Sequence, residues 1–167
     1  RGDVGTSVKI SIMRESDNRI HDFTLVREIV NKTTATAQLL EDHKDIAYLR
    51  ISEFSQNTDE AVAETLNELI KNQGFKGLII DLRNNGGGNV DSAVNIARMF
   101  IPEGPVVHIV DKNGIDDTKT AQGAQITVPL VVLVNQYSAS ASEILAGAIK
   151  DTHAGTLVGT TTYGKGL

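Results

Sequence analysis

The feature that most limits the fold is an alternation of apolar strands and amphipathic helices that begins near residue 46. Residues 46–54 predict a strand, and a helix with one apolar face is predicted after it. Residues 77–82 are almost continuously apolar, which is typical of a strand buried on both faces of a parallel sheet. A similar strand is predicted over 129–134. Strands and helices in this order predict a layered α/β domain without internal repeats.

Capping residues place the first helix. Asn57 and Glu60 have the spacing of a capping box, so the helix is predicted to begin beside them. Gly74 is well placed to end it, because glycine adopts the left-handed conformation that closes many helices. Apolar spacing predicts further helices over 90–101 and 139–150, short strands over 105–110 and 156–159, and a hairpin turn at 113–114.

The first thirty residues have a different pattern. Apolar and polar residues alternate over 8–12 and predict a strand, which a turn at 15–18 joins to a second strand over 21–26. Two strands of this length do not form an independent domain, so they are predicted to be the edge of something larger. The polar stretch 31–36 is the predicted boundary.

Charge and cysteine content exclude several classes of protein. Lys and Arg number 16 and Asp and Glu 21, a net charge of −5 without a basic run, so the chain lacks the positive surface that nucleic acids require. Cysteine is absent, which excludes disulfides and thiolate metal sites. The longest apolar runs are far shorter than the roughly 20 residues of a membrane-spanning helix. Nucleic acids are therefore not expected as partners.

Three polar segments follow predicted strands, at the edge where open α/β sheets usually place their functional sites. They are residues 81–88 (DLRNNGGG), 135–143 (NQYSASASE) and 159–166 (GTTTYGKG). In the first, Gly86 and Gly88 begin a dinucleotide-binding pattern, but Asp91 stands where its third glycine belongs. The glycines indicate a tight strand-to-helix turn, and their unshielded N–H groups can also donate to an oxyanion.

The last segment is close to a phosphate-binding P-loop. Gly159, Gly164 and Lys165 match the pattern G-x-x-x-x-G-K-[S/T], but Gly166 replaces the hydroxyl residue that holds magnesium. A P-loop also needs a following helix, and the sequence ends at Leu167. Nucleotide binding is therefore not predicted, and a surface lysine in a glycine-flanked loop is the simpler interpretation.

The middle segment places three serines between a buried strand and a helix, near the positive end of the helix dipole. Ser140 and Glu143 have the S-x-x-E spacing of a capping box, which alone is a sufficient structural explanation. The segment has no glycine, so the G-x-S-x-G nucleophile elbow is absent. A serine nucleophile also needs a base, and none of the four histidines lies in these segments. A lysine can serve where burial lowers the pKa of its amine from ~10.4 to roughly 7–8, and Lys165 is the candidate.

Together, the three segments resemble the motifs of the carboxy-terminal processing (tail-specific) serine proteases. The resemblance rests on residues 81–88, 138–143 and 164–166 and covers roughly residues 45–167. The separation of 25 residues between Ser140 and Lys165 also matches that family, which singles out Ser140 among the three serines.

The resemblance implies a serine endopeptidase that cleaves near protein C-termini through an acyl-enzyme. Ser140 is then the nucleophile, and Lys165 is its general base and later its acid. The N–H groups of Gly87 and Ala141 hold the oxyanion. No metal or cofactor is implied, and the substrates are protein or peptide C-termini. The implied fold is a crotonase-like (ClpP/crotonase) layered βα core.

The resemblance also implies a domain order. Residues 1–30 are expected to be the C-terminal remnant of a PDZ domain, 31–44 a linker, and 45–167 a protease core cut short at its C-terminus. The family usually has proline at the position of Gly86, and a glutamine at what is position 169 here, so activity of the chain as given is expected to be impaired. An extracytoplasmic location, in the periplasm or cell envelope, is expected. The family also allows membrane association of a longer chain and a homo-oligomer.

A second hypothesis comes from another functional class. A non-catalytic crotonase-like domain could use the same cleft to bind an apolar ligand or a peptide. Such a binding domain has no need of the Ser140 and Lys165 pair, which therefore distinguishes the two hypotheses.

Overall fold

The computed structural model describes residues 2–28, 32–114 and 116–166, and the chain divides into two units, Arg1–Lys32 and Thr33–Leu167. In the first unit, strands β1 (Ser7–Arg14) and β2 (Arg19–Val26) form an antiparallel hairpin. Both predicted strands are thus confirmed. The assignment of this hairpin to a PDZ domain stays a prediction.

The second unit contains a five-stranded sheet in the order β3-β4-β5-β8-β9. In chain order, the elements of this unit are β3 (Ala35–Leu39), β4 (Ile46–Ile51), α1 (Thr58–Asn72), β5 (Gly77–Asp81), α2 (Val90–Phe100), β6 (Glu103–Val110), β7 (Asp116–Gln122), β8 (Leu130–Val134), α3 (Ala141–Asp151) and β9 (Thr156–Gly159). Strands β4, β5, β8 and β9 run parallel, while β3 is antiparallel to β4. Strands β6 and β7 form a separate hairpin. The predicted α/β class is confirmed.

Strand β3 corrects one expectation. Residues 31–44 are predicted to be a linker, but Ala35–Leu39 pairs along the edge of the sheet. Ala35 is buried, and the hydroxyl of the neighbouring Thr34 accepts a hydrogen bond of 2.8 Å from the Thr58 hydroxyl at the start of α1. Because alanine and threonine give a weak apolar alternation, the sequence pattern does not reveal this strand.

The capping of α1 is a second correction, although the helix begins next to Asn57 as predicted. The Asn57 side chain makes no capping hydrogen bond, so the predicted capping box is wrong. Instead, Thr58 Oγ1 accepts a hydrogen bond of 2.8 Å from the Ser55 N–H. The predicted end is confirmed, because Gly74 has a φ of 68° and its N–H donates to the carbonyl of Leu69 at 2.9 Å.

The helices cover one face of the sheet. Leu49, Ile80 and Val132 point to that face and are fully buried in a core shared with the helices. Ile79 and Val131, on the opposite face, are only half-buried. The continuous apolar runs therefore predict the strands correctly but overstate the burial of their second face.

A charged cluster on this second face joins β4 to β5. The Asp81 side chain is 3% exposed, and Arg50 Nη1 lies 3.0 Å from one of its oxygens. Arg83 Nη2 lies 2.7 Å from the other, to which the Tyr48 hydroxyl also donates. Burial raises the pKa of Asp81, but hydrogen bonds from Arg83 and Tyr48 lower it by more, so that the pKa falls from 3.8 to about 2.

The low pKa of Asp81 predicts a dependence of stability on pH. Because the folded pKa is lower than the unfolded one, Asp81 stabilises the fold above about pH 4, and this contribution is lost as the pH falls towards 2. Asp81→Asn is expected to unfold at a lower temperature at neutral pH and to lose less stability between these two pH values. Thermal unfolding followed by circular dichroism measures both effects, with exposed Asp42→Asn as the control. An unaltered pH profile in Asp81→Asn would contradict the prediction.

Candidate active site

The turn between β8 and α3 holds Ser140 in an unusual backbone conformation. Its φ is 55° and its ψ is −116°, a region that residues other than glycine rarely occupy. Such strain clusters at functional sites, because the surrounding structure must hold the residue in place. The sequence lacks the glycines of a nucleophile elbow, yet the backbone makes a sharp strand-to-helix turn with a serine at its apex.

The three serines of this turn have different environments. Ser138 and Ser142 are completely buried, and their hydroxyls donate to the carbonyls of Leu82 at 2.8 Å and Asn85 at 2.9 Å. Both hydrogen bonds attach the serine turn to the segment that follows β5. Ser140 is half-buried, so of the three it is the serine that a ligand can reach.

The glycine triplet packs directly against the serine turn. A Cβ atom on Gly87 would lie 2.5 Å from the Ala139 carbonyl oxygen, 2.8 Å from Ser140 Cβ and 2.9 Å from the Ala141 nitrogen. Gly87 also has a φ of 96°. The structure therefore brings together three of the four site residues that the sequence predicts, and only glycine permits this approach.

Asn85 fixes the conformation of the glycine triplet. This residue is fully buried, and its Nδ2 donates to the Ile51 carbonyl at 2.9 Å. Its Oδ1 accepts the Gly87 N–H at 2.9 Å, so the N–H predicted to hold an oxyanion already has an acceptor. The Ala141 N–H belongs to the first residue of α3, a position that has no acceptor within the helix.

A second amide side chain joins the same two segments. Asn135 Oδ1 accepts the N–H groups of Asn84 at 2.9 Å and Tyr137 at 3.1 Å. Its Nδ2 donates to Asn84 Oδ1 at 2.9 Å. The sequence does not identify Asn85 or Asn135, because the hydrogen bonds by which they join separate segments reach partners 34 and 51 residues away. The sequence signal for these two asparagines is their position within the first and second polar segments.

The Glu143 carboxylate attaches the third motif to the serine turn. Its Oε1 accepts the Thr162 hydroxyl at 2.7 Å and the Gly164 N–H at 2.6 Å. Its Oε2 accepts the N–H groups of Ser140 and Lys165, each at 2.9 Å. Burial raises the pKa of Glu143, and these hydrogen bonds lower it by more, so the pKa lies below its usual range.

One oxygen thus holds the backbones of both predicted catalytic residues. Since each N–H lies 2.9 Å from Glu143 Oε2, the nitrogens of Ser140 and Lys165 are at most about 5.8 Å apart. An extended lysine side chain can span that distance. The Lys165 side chain is exposed, and no hydrogen bond joins its amine to the Ser140 hydroxyl in the part of the chain described. Glu143 accepts the Ser140 N–H, as the predicted capping box requires, and it also accepts the Lys165 N–H.

The described residues contain neither a cluster of metal-binding side chains nor a helix that could cross a membrane. Within residues 2–28, 32–114 and 116–166, no three His, Asp or Glu side chains are grouped to hold a metal ion. His21 contacts Asp17 within the first unit, and His108 contacts Asp116 within the β6–β7 hairpin. Among the helices described, none has the length and apolar character to cross a bilayer.

The fold and the turn define a class of α/β domains that place a serine at the N-terminus of a helix, directly after a strand of the sheet. Residues 45–167 match peptidase family S41, and the chain belongs to that family. The expected resemblance to carboxy-terminal processing proteases is therefore confirmed.

Individual relatives agree with the family assignment. The carboxyl-terminal-processing protease of Synechocystis sp. is 43% identical over all of this chain and 40% of its own length. The chloroplastic C-terminal processing peptidase of Tetradesmus obliquus is 48% identical over 74% of this chain and 27% of its own length. The solved structure of a photosystem II D1 C-terminal processing protease matches 98% of this chain and 46% of its own, with a TM-score of 0.71 and 36% identity. The chain thus spans less than half the length of these relatives.

The packing of the glycine triplet predicts that alanine destabilises the protein at position 87 but not at position 86. Gly87→Ala introduces a methyl group within 3 Å of the serine turn and is expected to lower the free energy of unfolding by about 2 kcal/mol or more. Gly86→Ala is the matched control, because a Cβ there meets nothing within 4 Å. It is expected to change stability by less than about 0.5 kcal/mol. Urea unfolding measures both, and equal losses would show the packing to be wrong.

The Glu143 hydrogen bonds predict a local effect on the segment that carries Lys165. Glu143→Gln keeps the shape of the side chain but removes its charge, which weakens its hydrogen bonds to N–H donors. Amide hydrogen exchange at Gly164 and Lys165 is expected to become about tenfold faster or more. Exposed Glu60→Gln on α1 is the control and should leave those two amides unchanged. Unchanged exchange in Glu143→Gln would contradict the anchoring role.

Proposed function

We propose that this chain carries the catalytic centre of a serine endopeptidase that cleaves near the C-termini of protein substrates. Ser140 acts as the nucleophile and Lys165 as the general base. The observation that carries the proposal is the shared Glu143 Oε2, which accepts the backbone N–H groups of both residues. The relatives named as C-terminal processing proteases support the substrate class.

The first step joins serine to substrate. The neutral Lys165 amine takes the proton of the Ser140 hydroxyl while the serine oxygen attacks the carbonyl carbon of the peptide bond. The strained turn supports this role, because it presents the Ser140 side chain at the N-terminus of α3, where the helix dipole favours negative charge. The carbonyl oxygen becomes an oxyanion.

Backbone N–H groups stabilise that oxyanion. The position of Ala141 as the first residue of α3 supports this role, because an N–H there has no acceptor within the helix. Gly87 supplies the second N–H, which first gives up its hydrogen bond to Asn85 Oδ1. The close packing of Gly87 on Ser140 and Ala141 supports the pairing of these two donors. Loss of one such donor typically costs about 3 kcal/mol of transition-state stabilisation.

The remaining steps release both products. The C–N bond breaks, Lys165 returns its proton to the departing amine, and Ser140 is left as an acyl ester. Water then attacks the ester, Lys165 accepts a proton from it, and the serine oxygen leaves with that proton to restore the starting state. The C-terminal fragment departs first and the N-terminal fragment second.

The relatives also bear on location. One relative is named chloroplastic, and we infer that the parent protein of this chain acts outside the cytoplasm. Association with membranes or with further copies of the chain stays a prediction.

A serine-directed probe tests the dyad. A fluorophosphonate is expected to label the chain at Ser140, and Ser140→Ala is expected to abolish labelling. Lys165→Ala is expected to slow it about 100-fold or more, since a positioned general base contributes about 10²–10⁴-fold. Mass spectrometry of the intact protein over time measures the rate.

Lys150→Ala provides the matched control, because it removes the same charge from an exposed lysine at the end of α3. Its labelling rate should equal that of the unmodified chain. Equal labelling of Lys165→Ala and Lys150→Ala would rule out Lys165 as the base. Slow labelling of Ser140 agrees with the impaired activity expected of the chain as given, whereas labelling that Ser140→Ala leaves unchanged would favour the non-catalytic binding domain.

A further inference from the structure

Two exposed tyrosines flank the proposed catalytic pair. Tyr137 lies three residues before Ser140 and is 61% exposed, and Tyr163 lies two residues before Lys165 and is 69% exposed. The chain has only four phenylalanines and three tyrosines, and the third tyrosine, Tyr48, donates to Asp81. Single exposed apolar residues are ordinary, but two exposed rings beside one site suggest a contact surface.

Hydrogen bonds place the two tyrosines next to each other. The Tyr163 N–H donates to the Ser138 carbonyl at 3.0 Å, so Tyr163 lies beside the residue that follows Tyr137. The Tyr137 N–H donates to Asn135 Oδ1 at 3.1 Å. Both backbones are thus fixed to the serine turn, while both rings extend into solvent.

Peptide geometry brings a substrate to these rings. In the proposed mechanism the scissile carbonyl lies at the Ser140 hydroxyl and the Ala141 N–H. An extended peptide advances about 3.3 Å per residue, so side chains two or three residues from the scissile bond lie about 7–10 Å away. Tyr137 lies three residues before Ser140, and Tyr163 lies two residues before Lys165. Their long side chains can therefore reach substrate side chains at that distance.

The chemistry of tyrosine indicates which side chains bind. A tyrosine ring offers a large rigid apolar surface at little entropic cost, and tyrosine is among the residues that dominate binding energy at interfaces. Neither ring carries a charge that would favour an acidic or basic substrate residue. Aliphatic or aromatic substrate side chains fit such a surface best.

We propose that Tyr137 and Tyr163 form an aromatic subsite that binds large apolar side chains of the substrate two or three residues from the scissile bond. This subsite rests on the proposed function, because it assumes a peptide at Ser140. The two rings select the segment of the substrate tail that reaches the nucleophile.

Binding to a catalytically silent chain tests the subsite. In Ser140→Ala, fluorescence polarisation measures the affinity of a short labelled peptide rich in leucine and valine, and of a matched peptide rich in serine and aspartate. The apolar peptide is expected to bind more tightly. Tyr137→Ser and Tyr163→Ser are each expected to weaken its binding about tenfold, which corresponds to about 1.4 kcal/mol, and to leave the polar peptide unaffected.

Two controls separate apolar contact from structural damage. Tyr137→Phe and Tyr163→Phe keep the ring and should bind the apolar peptide like the unmodified side chains. Ile109→Ser removes an exposed apolar residue from the β6–β7 hairpin and should also have no effect. Full affinity in both Tyr→Ser variants, or no preference for the apolar peptide, overturns the subsite. Fluorophosphonate labelling of the chain with Ser140 intact tests the proposed function separately, so the two failures are distinguishable.

Discussion

The Glu143 carboxylate is the interaction on which the arrangement of the site depends. Its two oxygens accept three backbone N–H groups and one hydroxyl, from residues on both sides of the site. The segment after β9 contains no helix among residues 160–166, so it depends on such hydrogen bonds for its position. Without this carboxylate, the N–H groups of Ser140, Gly164 and Lys165 would all lose their acceptor. Asn85 and Asn135 perform the same task for the glycine triplet.

Most of the fold could be predicted from local patterns. Strands β4, β5 and β8 follow from continuous apolar runs, and the end of α1 follows from Gly74. Strand β3 could not be predicted, because its burial comes from contact with α1 rather than from its own hydrophobicity. The start of α1 next to Asn57 could also be predicted, but the absence of a capping hydrogen bond from the Asn57 side chain could not. Several polar side chains lie near the start of this helix. The Thr58 hydroxyl hydrogen-bonds to Ser55 and Thr34, and the spacing of residues in the sequence does not reveal these partners.

The candidate site was predictable in part. The three motifs could be placed together, because each lies at the carboxyl end of a strand and parallel strands end at a common edge. The resemblance of these motifs to those of carboxy-terminal processing proteases then implied Ser140, Lys165, Gly87 and Ala141 as candidate site residues. The roles of the amide and carboxylate side chains that fix these motifs could not be predicted, since the hydrogen bonds that join one segment to another connect residues far apart in sequence. The dual use of Glu143 is an example: the capping spacing shows its bond to Ser140 but not its bond to Lys165.

The strained backbone of Ser140 affects which residues are expected at this position during evolution. At a φ of 55°, glycine would relieve strain of roughly 1–3 kcal/mol that serine must bear. Ser140→Gly would therefore remove the hydroxyl and at the same time stabilise the domain. Thermodynamic stability and chemical reactivity favour different residues at this position. If the proposed reaction were no longer under selection, glycine would be expected to replace this serine, because the substitution stabilises the fold and removes the hydroxyl.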